Sequence, residues 1–496
     1  MSFLADGLSM NSTIVLVIAV GLALSFEFVN GFHDTANAVA TVIYTHTLKP
    51  NLAVVWSGIW NLIGALLSSG AVAFGIIALL PVEFILNVGS ATSLAMVFAL
   101  LIAAILWNLG TWYLGLPASS SHALIGSIMG VGLANSLTVS GQMFGAGVNW
   151  TKAYEVGLSL LISPVVGFVG AALVLLAMKV LIRKPELYRP PDHGKPPPFW
   201  IRSLLIFTCT GVSFAHGSND GQKGMGLIML ILIGIIPANY ALRMSATESQ
   251  LRDVVTAAQV ASATLAKRGS TGSLNAVQST EVLSSFLRQG VAPQADVFNA
   301  LTVETRSIAD QLAPIHSVAQ LSPDARRGVR TDAYLVSESI GKLARTGQLT
   351  DSAEKNALLA LRTQLDQLTK FIPDWVKYAV ALAIGLGTMV GWKRIVITIG
   401  EKIGKQHLTY AQGASAELVA MTTIGAADML GLPVSTTHVL SSGVAGTMAA
   451  NQSGLQIHTL RNLLLAWVLT LPVCVLLGAG LFGFGLYILL NVFGLR

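Results

Sequence analysis

Two carboxylates lie within strongly apolar stretches of this 496-residue chain, and each belongs to a similar short motif. The first motif is GFHDTAN at residues 31–37, and the second is GSNDGQK at residues 217–223. A charge at membrane depth is costly and is usually retained for an ion or substrate pathway. We therefore interpret Asp34 and Asp220 as ligands of a cation or a proton, in preference to capped carboxylates at structural helix breaks.

Each aspartate motif is followed at a distance by a second motif, LPASSSH at residues 116–122 and LPVSTTH at residues 432–438. A proline followed by hydroxyl residues favours the start of a helix. The free amides and positive dipole end of such a start suit a phosphate-like anion. The alternative is ordinary capping with small residues for close helix packing. We favour an anion site formed by Ser119, Ser120, Ser121, Ser435, Thr436 and Thr437.

The two aspartate motifs differ at their last position, where Asn37 in the first aligns with Lys223 in the second. A lysine deep in an apolar run suits a bound anion, and a snorkelling lysine is the alternative. The histidines that end the second pair of motifs, His122 and His438, are candidates for substrate binding, for proton transfer near neutral pH or for tying helices together.

Two glutamates in apolar segments are candidate proton carriers, because burial raises the pKa of a carboxyl group. They are Glu27, two helical turns before Asp34, and Glu417. A structural, hydrogen-bonded glutamate is an equal alternative for both. We expect Asp428, near a predicted helix end, to be solvated and Asn61 to bond between helices.

Composition places the chain in a membrane. Hydrophobic residues make up 53% of the sequence and charged residues only 11%, whereas soluble domains carry about 25%. The two cysteines, Cys209 and Cys474, exclude a disulfide framework and a zinc-finger spacing. The net charge of +6 follows from basic loops, so we expect no nucleic-acid partner. The first apolar run is interpreted as a retained helix and not a signal peptide.

The predicted fold is an all-α integral membrane protein with broken helices and re-entrant segments. A membrane helix needs about 20 apolar residues. The candidate segments in the first half are 13–45 (broken around 30–34), 52–80, 92–115, 118–137 and 155–182. Those in the second half are 203–238 (broken around 216–223), 374–392, 411–430, 434–451 and 461–490.

Five segments in each half predict an inverted-topology repeat, because an odd number makes the second half enter from the opposite side. Loop charges support this orientation. With both termini outside, one basic residue, Lys152, lies in the short outside loops, and eleven lie inside. The eleven are Lys49, Arg183, Lys184, Arg189, Lys195, Arg202, Lys393, Arg394, Lys402, Lys405 and Arg461.

The second half contains an insertion. Asp34 and His122 are 88 residues apart, whereas Asp220 and His438 are 218 residues apart. The surplus corresponds to the polar stretch 241–372, whose apolar residues recur at helical spacing and predict a soluble helical domain on the outside. The predicted organisation is a first membrane repeat (1–182), an inside loop (183–202), the start of the second repeat (203–240), the insertion (241–372) and the remainder of the second repeat (373–496).

The four motifs together, with the first extended to GFHDTANAVAT (31–41) and the second to HGSND (216–220), resemble the inorganic phosphate transporter (Pit) family. The form of these motifs is similar to that in the bacterial low-affinity phosphate permeases of this family. The resemblance covers nearly the whole membrane part. It implies that the protein is a secondary transporter and not an enzyme. Such a transporter imports inorganic phosphate across a bacterial inner membrane and is usually a homodimer. For the bacterial type it also implies proton symport and a neutral complex of phosphate with a divalent metal such as magnesium.

By this resemblance, Asp34, Asn37, Asp220 and the six hydroxyl residues fall on ion and phosphate positions. Glu417 matches an acidic position of the family, and Asn61 stands where some relatives carry its acidic counterpart. In sodium-coupled relatives small residues follow the aspartate of the second motif, whereas this chain has Gln222 and Lys223. This difference favours the bacterial type that transports a metal-phosphate complex. Both residues are candidates for substrate binding.

Other functions remain open at this point. Sodium-coupled phosphate or sulfate symporters share the motifs, and a passive anion channel would also need an anion site. A membrane enzyme is the weakest alternative, because Ser121 and His122 are sequence neighbours and need not face each other for proton transfer.

Overall fold

The computed structural model describes residues 10–34, 36–79, 90–138, 144–145, 148–191, 195–268, 274–288 and 295–492. Within these ranges the regular structure is helical, apart from an isolated bridge between Gly404 and Leu455. The all-α prediction is therefore confirmed for the described part of the chain.

Among its described residues, the first half contains seven helices. They are α1 (Met10–Asp34), α2 (Ala36–Tyr44), α3 (Pro50–Leu67), α4 (Ala71–Ile77), α5 (Ala91–Tyr113), α6 (Ser120–Thr138) and α7 (Trp150–Leu181). A short 3-10 turn, Pro185–Tyr188, follows in the basic loop.

The second half presents a similar series around the insertion. Before the insertion come α8 (Phe199–Ile235) and α9 (Pro237–Tyr240). After it come α15 (Asp374–Thr388), α16 (Lys393–Glu401), α17 (Tyr410–Met429), α18 (Thr436–Ala450) and α19 (Ile457–Asn491).

The described residues of the stretch 241–372 form five α-helices that pack on one another around their own apolar cluster. The cluster includes Leu251, Leu301, Val336 and Leu361, all at most 1% exposed. The helices are α10 (Glu248–Leu265), α11 (Ala276–Arg288), α12 (Ala295–Leu312), α13 (Pro323–Arg345) and α14 (Ser352–Thr369).

Five helices of the described part are long and apolar enough to cross a membrane, and α15 with α16 makes a sixth if the pair is one bent span. The bend between α15 and α16 is 61°. Gly391, just before α16, and Gly70, just before α4, both have positive φ (72° and 86°), a conformation that glycine adopts without steric cost. Each of these glycines thus allows a sharp break between two helices.

The sequence predicts a helix break at each aspartate motif. In the first motif residues 30–34 are helical within α1, and Thr35, between α1 and α2, lies outside the described residues, so a break at this point stays a prediction. The predicted break in the second motif is wrong, because α8 runs without interruption from Phe199 to Ile235. Asp220 and Lys223 lie one turn apart in α8 and form an ion pair of 2.7 Å, so each offsets the charge of the other without any local unwinding.

Close backbone contact brings the two halves together at the centre. A Cβ atom on Gly217 of α8 would overlap the carbonyl oxygen of Asn61 on α3, so this crossing requires glycine. The contact places the side chain of Asn61 next to His216, one residue before Gly217. The aspartate motif of the second half therefore packs against a helix of the first half.

Candidate functional site

The carboxylate of Asp34 lies at the centre of the molecule and receives hydroxyl groups from both halves. Ser120 Oγ, at the start of α6, donates to Asp34 Oδ2 at 3.0 Å. Thr437 Oγ1, at the start of α18, donates to Asp34 Oδ1 at 2.5 Å. The imidazole of the adjacent His33 lies 3.2 Å from Oδ1. Asp34 is 2% exposed, so these polar groups replace the water that a buried carboxylate loses.

The second carboxylate, Asp220, is held by cationic and imidazole groups of its own helix. Lys223 Nζ lies 2.7 Å from Asp220 Oδ1, and His216 Nε2 lies 3.5 Å from Oδ2. The ammonium of Lys223 also donates to Ser121 Oγ at 2.5 Å. Lys223 is fully buried, so the snorkelling alternative is wrong for this structure.

Three side chains of this centre have the donors for a cation. One ligand atom each from Asp34, His216 and Asp220 lies within 4.8 Å of the other two, and all three residues are buried. His216 Nε2 faces both carboxylates, at 3.9 Å from Asp34 Oδ2 and 3.5 Å from Asp220 Oδ2. Its Nδ1 contacts Asn61 Oδ1 at 2.5 Å, which fixes the orientation of the ring. Two carboxylates and one imidazole form a donor set that suits a divalent metal.

The Leu-Pro motifs start helices in the same way in both halves. The amide of His122 donates to Ser119 Oγ at 3.2 Å, and the amide of His438 donates to Ser435 Oγ at 3.1 Å. Ser119 and Ser435 therefore act as N-caps, the geometry that a hydroxyl residue three positions earlier predicts. Of the following hydroxyl groups, those of Ser120 and Thr437 donate to Asp34, whereas Ser121 Oγ donates to the carbonyl of Val434 at 2.8 Å.

One hydroxyl of this set is free. Thr436 Oγ1 is buried and has no hydrogen-bond partner among the residues that the structure describes. A buried polar group without a partner costs free energy, so a native structure normally supplies a ligand or a water molecule to such a group. Thr436 immediately precedes Thr437, whose hydroxyl binds Asp34.

The two candidate proton carriers lie at different positions along α8. Glu27 packs against Gly224, immediately after Lys223, and receives the Asn30 amide at 3.4 Å. Glu417 accepts the hydroxyl of Thr208 at 2.5 Å. Thr208 is twelve residues before Asp220, about 18 Å along a helix. Both glutamates are fully buried.

The histidines of the Leu-Pro motifs lie together on another face of these helices. The rings of His122 and His438 have centroids 4.7 Å apart, and His438 stacks on Trp467 at 4.2 Å. Both histidines line a cavity of about 410 Å³ with otherwise mainly apolar walls that include Leu160 and Leu471. This arrangement ties α6, α18 and α19 together, and it leaves the proton-transfer alternative for these rings as a prediction.

The side chain of Gln222 uses its amide in structural bonds. Its Oε1 accepts from the amide of Val72 at 2.9 Å, and its Nε2 donates to Ser218 O and to Asp428 Oδ1. Asp428 also accepts the hydroxyl of Ser218 at 2.6 Å. The expectation that Asp428 is solvated is therefore wrong: it is half-buried and connects the end of α17 to α8.

The polar network around the aspartates contains residues that the sequence did not single out. The side chain of Asn37 lies outside the described residues. His216, His33 and Asn61 belong to the polar network around the aspartates, yet sequence reasoning gave the two histidines no role. The available signal was spacing, because His216 lies four residues before Asp220 and on the same face of α8.

This combination of apolar spanning helices and a buried charged centre shared by two halves defines the class of polytopic membrane transport proteins. Residues 30–478 match the phosphate transporter family (PHO4), and the chain belongs to this family.

Similar proteins support this assignment over the full length. The low-affinity inorganic phosphate transporter PitA of Escherichia coli K12 is 42% identical over 505 residues, which cover 99% of this chain and all of PitA. PitB of the same organism is 40% identical, covering 97% of this chain and 99% of PitB. A solved structure of a protein named "The sodium-dependent phosphate transporter" has the same fold, with a TM-score of 0.51, 21% identity, and coverage of 95% of this chain and 98% of that one.

Proposed function

We propose that the protein is a secondary active transporter that imports inorganic phosphate as a complex with a divalent metal, together with protons. The observation that carries this proposal is the position of Asp34, which receives Thr437 from one half and Ser120 from the other. The family and its low-affinity phosphate transporters support phosphate as the substrate.

The charges of the centre favour a metal complex over free phosphate. Asp34 and Asp220 are two carboxylates, and Lys223 supplies one compensating ammonium. With neutral imidazoles the centre carries a net charge of about −1, which would repel a phosphate dianion strongly at low dielectric. A divalent cation held by Asp34, His216 and Asp220 would remove this repulsion and present its open positions to phosphate oxygens.

The phosphate oxygens would be bound by donors rather than by a dedicated cation. The amides at the starts of α6 and α18 and the free hydroxyl of Thr436 are such donors. Lys223 already bonds to Asp220 and Ser121, so its role is to balance charge and to hold the start of α6. The remaining phosphate candidates are Ser119, Ser120, Ser121, Ser435 and Thr437.

Alternating access then follows from the arrangement of the two halves, which we propose to be an inverted-topology repeat with both termini outside. Each start of a short helix, α6 and α18, reaches the aspartate centre, so a rocking motion would expose the centre to one side at a time. The insertion would lie outside, and the protein would span a bacterial inner membrane as a homodimer.

Proton coupling is assigned to the two buried glutamates. Glu27 contacts α8 just after the centre, and Glu417 contacts it about 18 Å before the centre, so the two carboxyls flank the aspartates along one helix. Protonation of a buried carboxyl changes its charge in a low-dielectric setting, which makes it suitable for coupling.

The test is labelled-phosphate uptake into proteoliposomes under an imposed proton gradient, with the proton gradient collapsed as the control. Accumulation against the phosphate gradient supports the symporter, whereas simple equilibration would show a passive channel. Uptake driven by sodium alone, or equal competition by sulfate, would favour the sodium-coupled phosphate or sulfate alternative. The similar solved structure bears the name of a sodium-dependent phosphate transporter.

A further inference from the structure

A cavity of about 510 Å³ lies where the insertion joins the membrane part of the molecule. We call it the seam pocket, and its polar walls come from both parts. Arg243 lies at the start of the insertion and Lys370 at its end, while Ser69 precedes α4 and Lys377 lies in the first turn of α15. The pocket therefore depends on the insertion for most of its basic side chains.

We propose that the seam pocket binds phosphate at the mouth of the transport path, ahead of the aspartate centre. Arg243 and Lys377 have no carboxylate within ion-pair distance among the described residues, and both are half-buried. Lys370 is different, because it pairs with Asp366 at 3.0 Å and with Glu338 at 3.3 Å. Two uncompensated cations in a concave site attract an oxyanion.

Other groups of the pocket have matching chemistry. α15 begins after Pro373, and the positive end of its helix dipole lies beside Lys377. Ser69, Ser245 and Asn239 supply neutral donors in the lining. One exposed carboxylate, Asp374, also lines the pocket and partly offsets the positive charge. The three cations of the lining outnumber Asp374, although Asp366 and Glu338, outside the lining, pair with Lys370. Such a site suits a weakly held substrate that must leave again.

The position of the pocket connects it to the central site. Ser69 lies three residues before Val72, whose amide donates to Gln222 Oε1 at 2.9 Å. Gln222 in turn bonds to Asp428 and lies two residues after Asp220. A phosphate in the seam pocket is thus separated from the aspartate centre by the hydrogen-bonded layer of Val72, Gln222 and Asp428. In this position the insertion would supply basic side chains to the entrance of the transport path.

The inference rests on the proposed phosphate transport, and the experiment separates the two. Uptake of labelled phosphate is measured in vesicles of phosphatidylcholine alone for the double variant Arg243→Gln/Lys377→Gln. The matched control is Lys267→Gln/Lys355→Gln, which removes two exposed positive charges of the insertion outside the pocket. We expect the KM of the pocket variant to rise about 3–10-fold at low ionic strength with Vmax unchanged, and the difference to disappear in about 0.5 M salt.

Several outcomes would overturn the inference. Equal KM values for the pocket variant and the control pair would do so, while uptake by the unmodified protein would leave the proposed function intact. A KM difference that appears only when phosphatidylglycerol is added to the vesicles would show that the pocket holds a lipid headgroup and not free phosphate.

A second measurement does not depend on transport. In purified Asp34→Asn protein, broadening of the phosphorus resonance of inorganic phosphate should persist, and it should be lost when Arg243→Gln and Lys377→Gln are added. Broadening that is unchanged by these additions would contradict a phosphate site in the seam pocket.

Discussion

Thr437 donates its hydroxyl to Asp34 at 2.5 Å, although the two residues are 403 positions apart in the chain. The bond joins the start of α18 to the aspartate motif of the first half, so each half supplies one partner of the contact. A hydrogen bond to a buried carboxylate is worth more than one between neutral groups, about 1.5–3 kcal/mol. The contact therefore stabilises the particular arrangement of the halves in which the anion site and the aspartates are joined.

Replacement of Thr437 by valine should reduce phosphate uptake without unfolding the protein. The valine keeps the shape and removes the donor, whereas the contacts of Asp34 with Ser120, His33 and His216 remain. We expect uptake to fall about 10–100-fold, corresponding to the loss of one charge-assisted bond. Thr447→Val is the matched control, because the hydroxyl of Thr447 bonds only to Val444 O within α18. Similar losses in both variants would show that α18 is merely sensitive to valine.

Substitutions in the ion pair between Asp220 and Lys223 should affect stability and transport differently. Removal of one partner leaves a buried charge without compensation, which costs about 3–5 kcal/mol. Asp220→Asn should therefore lower the thermal midpoint in detergent, and the double variant Asp220→Asn/Lys223→Met should recover most of it. Neither variant should transport phosphate, because the cation site has lost a ligand. Full uptake by either one would refute the assignment of Asp220 to that site.

The positions of the aspartates and the hydroxyl triplets could be predicted because each motif occurs twice with the same internal order. Most helix boundaries followed from apolar runs of membrane length, but the predicted segment 52–80 is divided at Gly70 into α3 and α4. The two short helices α6 and α18 begin at the hydroxyl triplets as the Leu-Pro pattern indicates. What could not be predicted was the pairing between halves. Thr437 with Asp34 and Lys223 with Ser121 are contacts over long sequence distances, and local periodicity carries no information about them.

The continuity of α8 shows that an aspartate motif rich in glycine can remain helical. The carboxylate of Asp34 is compensated by groups from other elements. Asp220 has Lys223 and His216 at helical spacing on its own helix, so its charge is compensated without a break. The glycines that suggested a break instead allow close packing, as Gly217 does against Asn61.

Glu27 and Glu417 can be tested as proton carriers by comparing accumulation with exchange. Exchange of labelled for unlabelled phosphate needs no net proton movement, whereas accumulation under a proton gradient does. We expect Glu27→Gln to abolish accumulation and to keep exchange, because the neutral amide preserves the packing against Gly224. Glu417→Gln should behave in the same way. Loss of exchange along with accumulation would assign the residue to structure or binding.

The insertion should be more stable at acidic than at neutral pH. Glu304, 1% exposed, faces Asp332, and burial together with the neighbouring carboxylate raises the pKa of Glu304 to about 7. Burial likewise raises the pKa of Asp332. A carboxyl whose pKa is higher in the folded than in the unfolded chain binds its proton more tightly when folded, so stability falls as pH rises from about 4 to about 7.

The measurement is hydrogen exchange of amides in α12 and α13 of the full-length protein as a function of pH, after correction for the intrinsic exchange rate. Glu304→Gln should flatten the pH dependence across this range. Glu281→Gln, which changes an exposed glutamate of α11, should leave it unchanged. A profile that stays steep in Glu304→Gln would mean that other groups control the stability of these helices.

The metal-phosphate proposal requires that a divalent cation held by Asp34, His216 and Asp220 travels with phosphate. The experiment that decides this is simultaneous uptake of radiolabelled manganese and radiolabelled phosphate into the same proteoliposomes, with and without the substitution His216→Asn. We expect the two labels to enter in a fixed ratio, neither to accumulate without the other, and His216→Asn to lower both together. Phosphate accumulation at full rate with no entry of metal, or a metal requirement that is unchanged in His216→Asn, would refute the proposal.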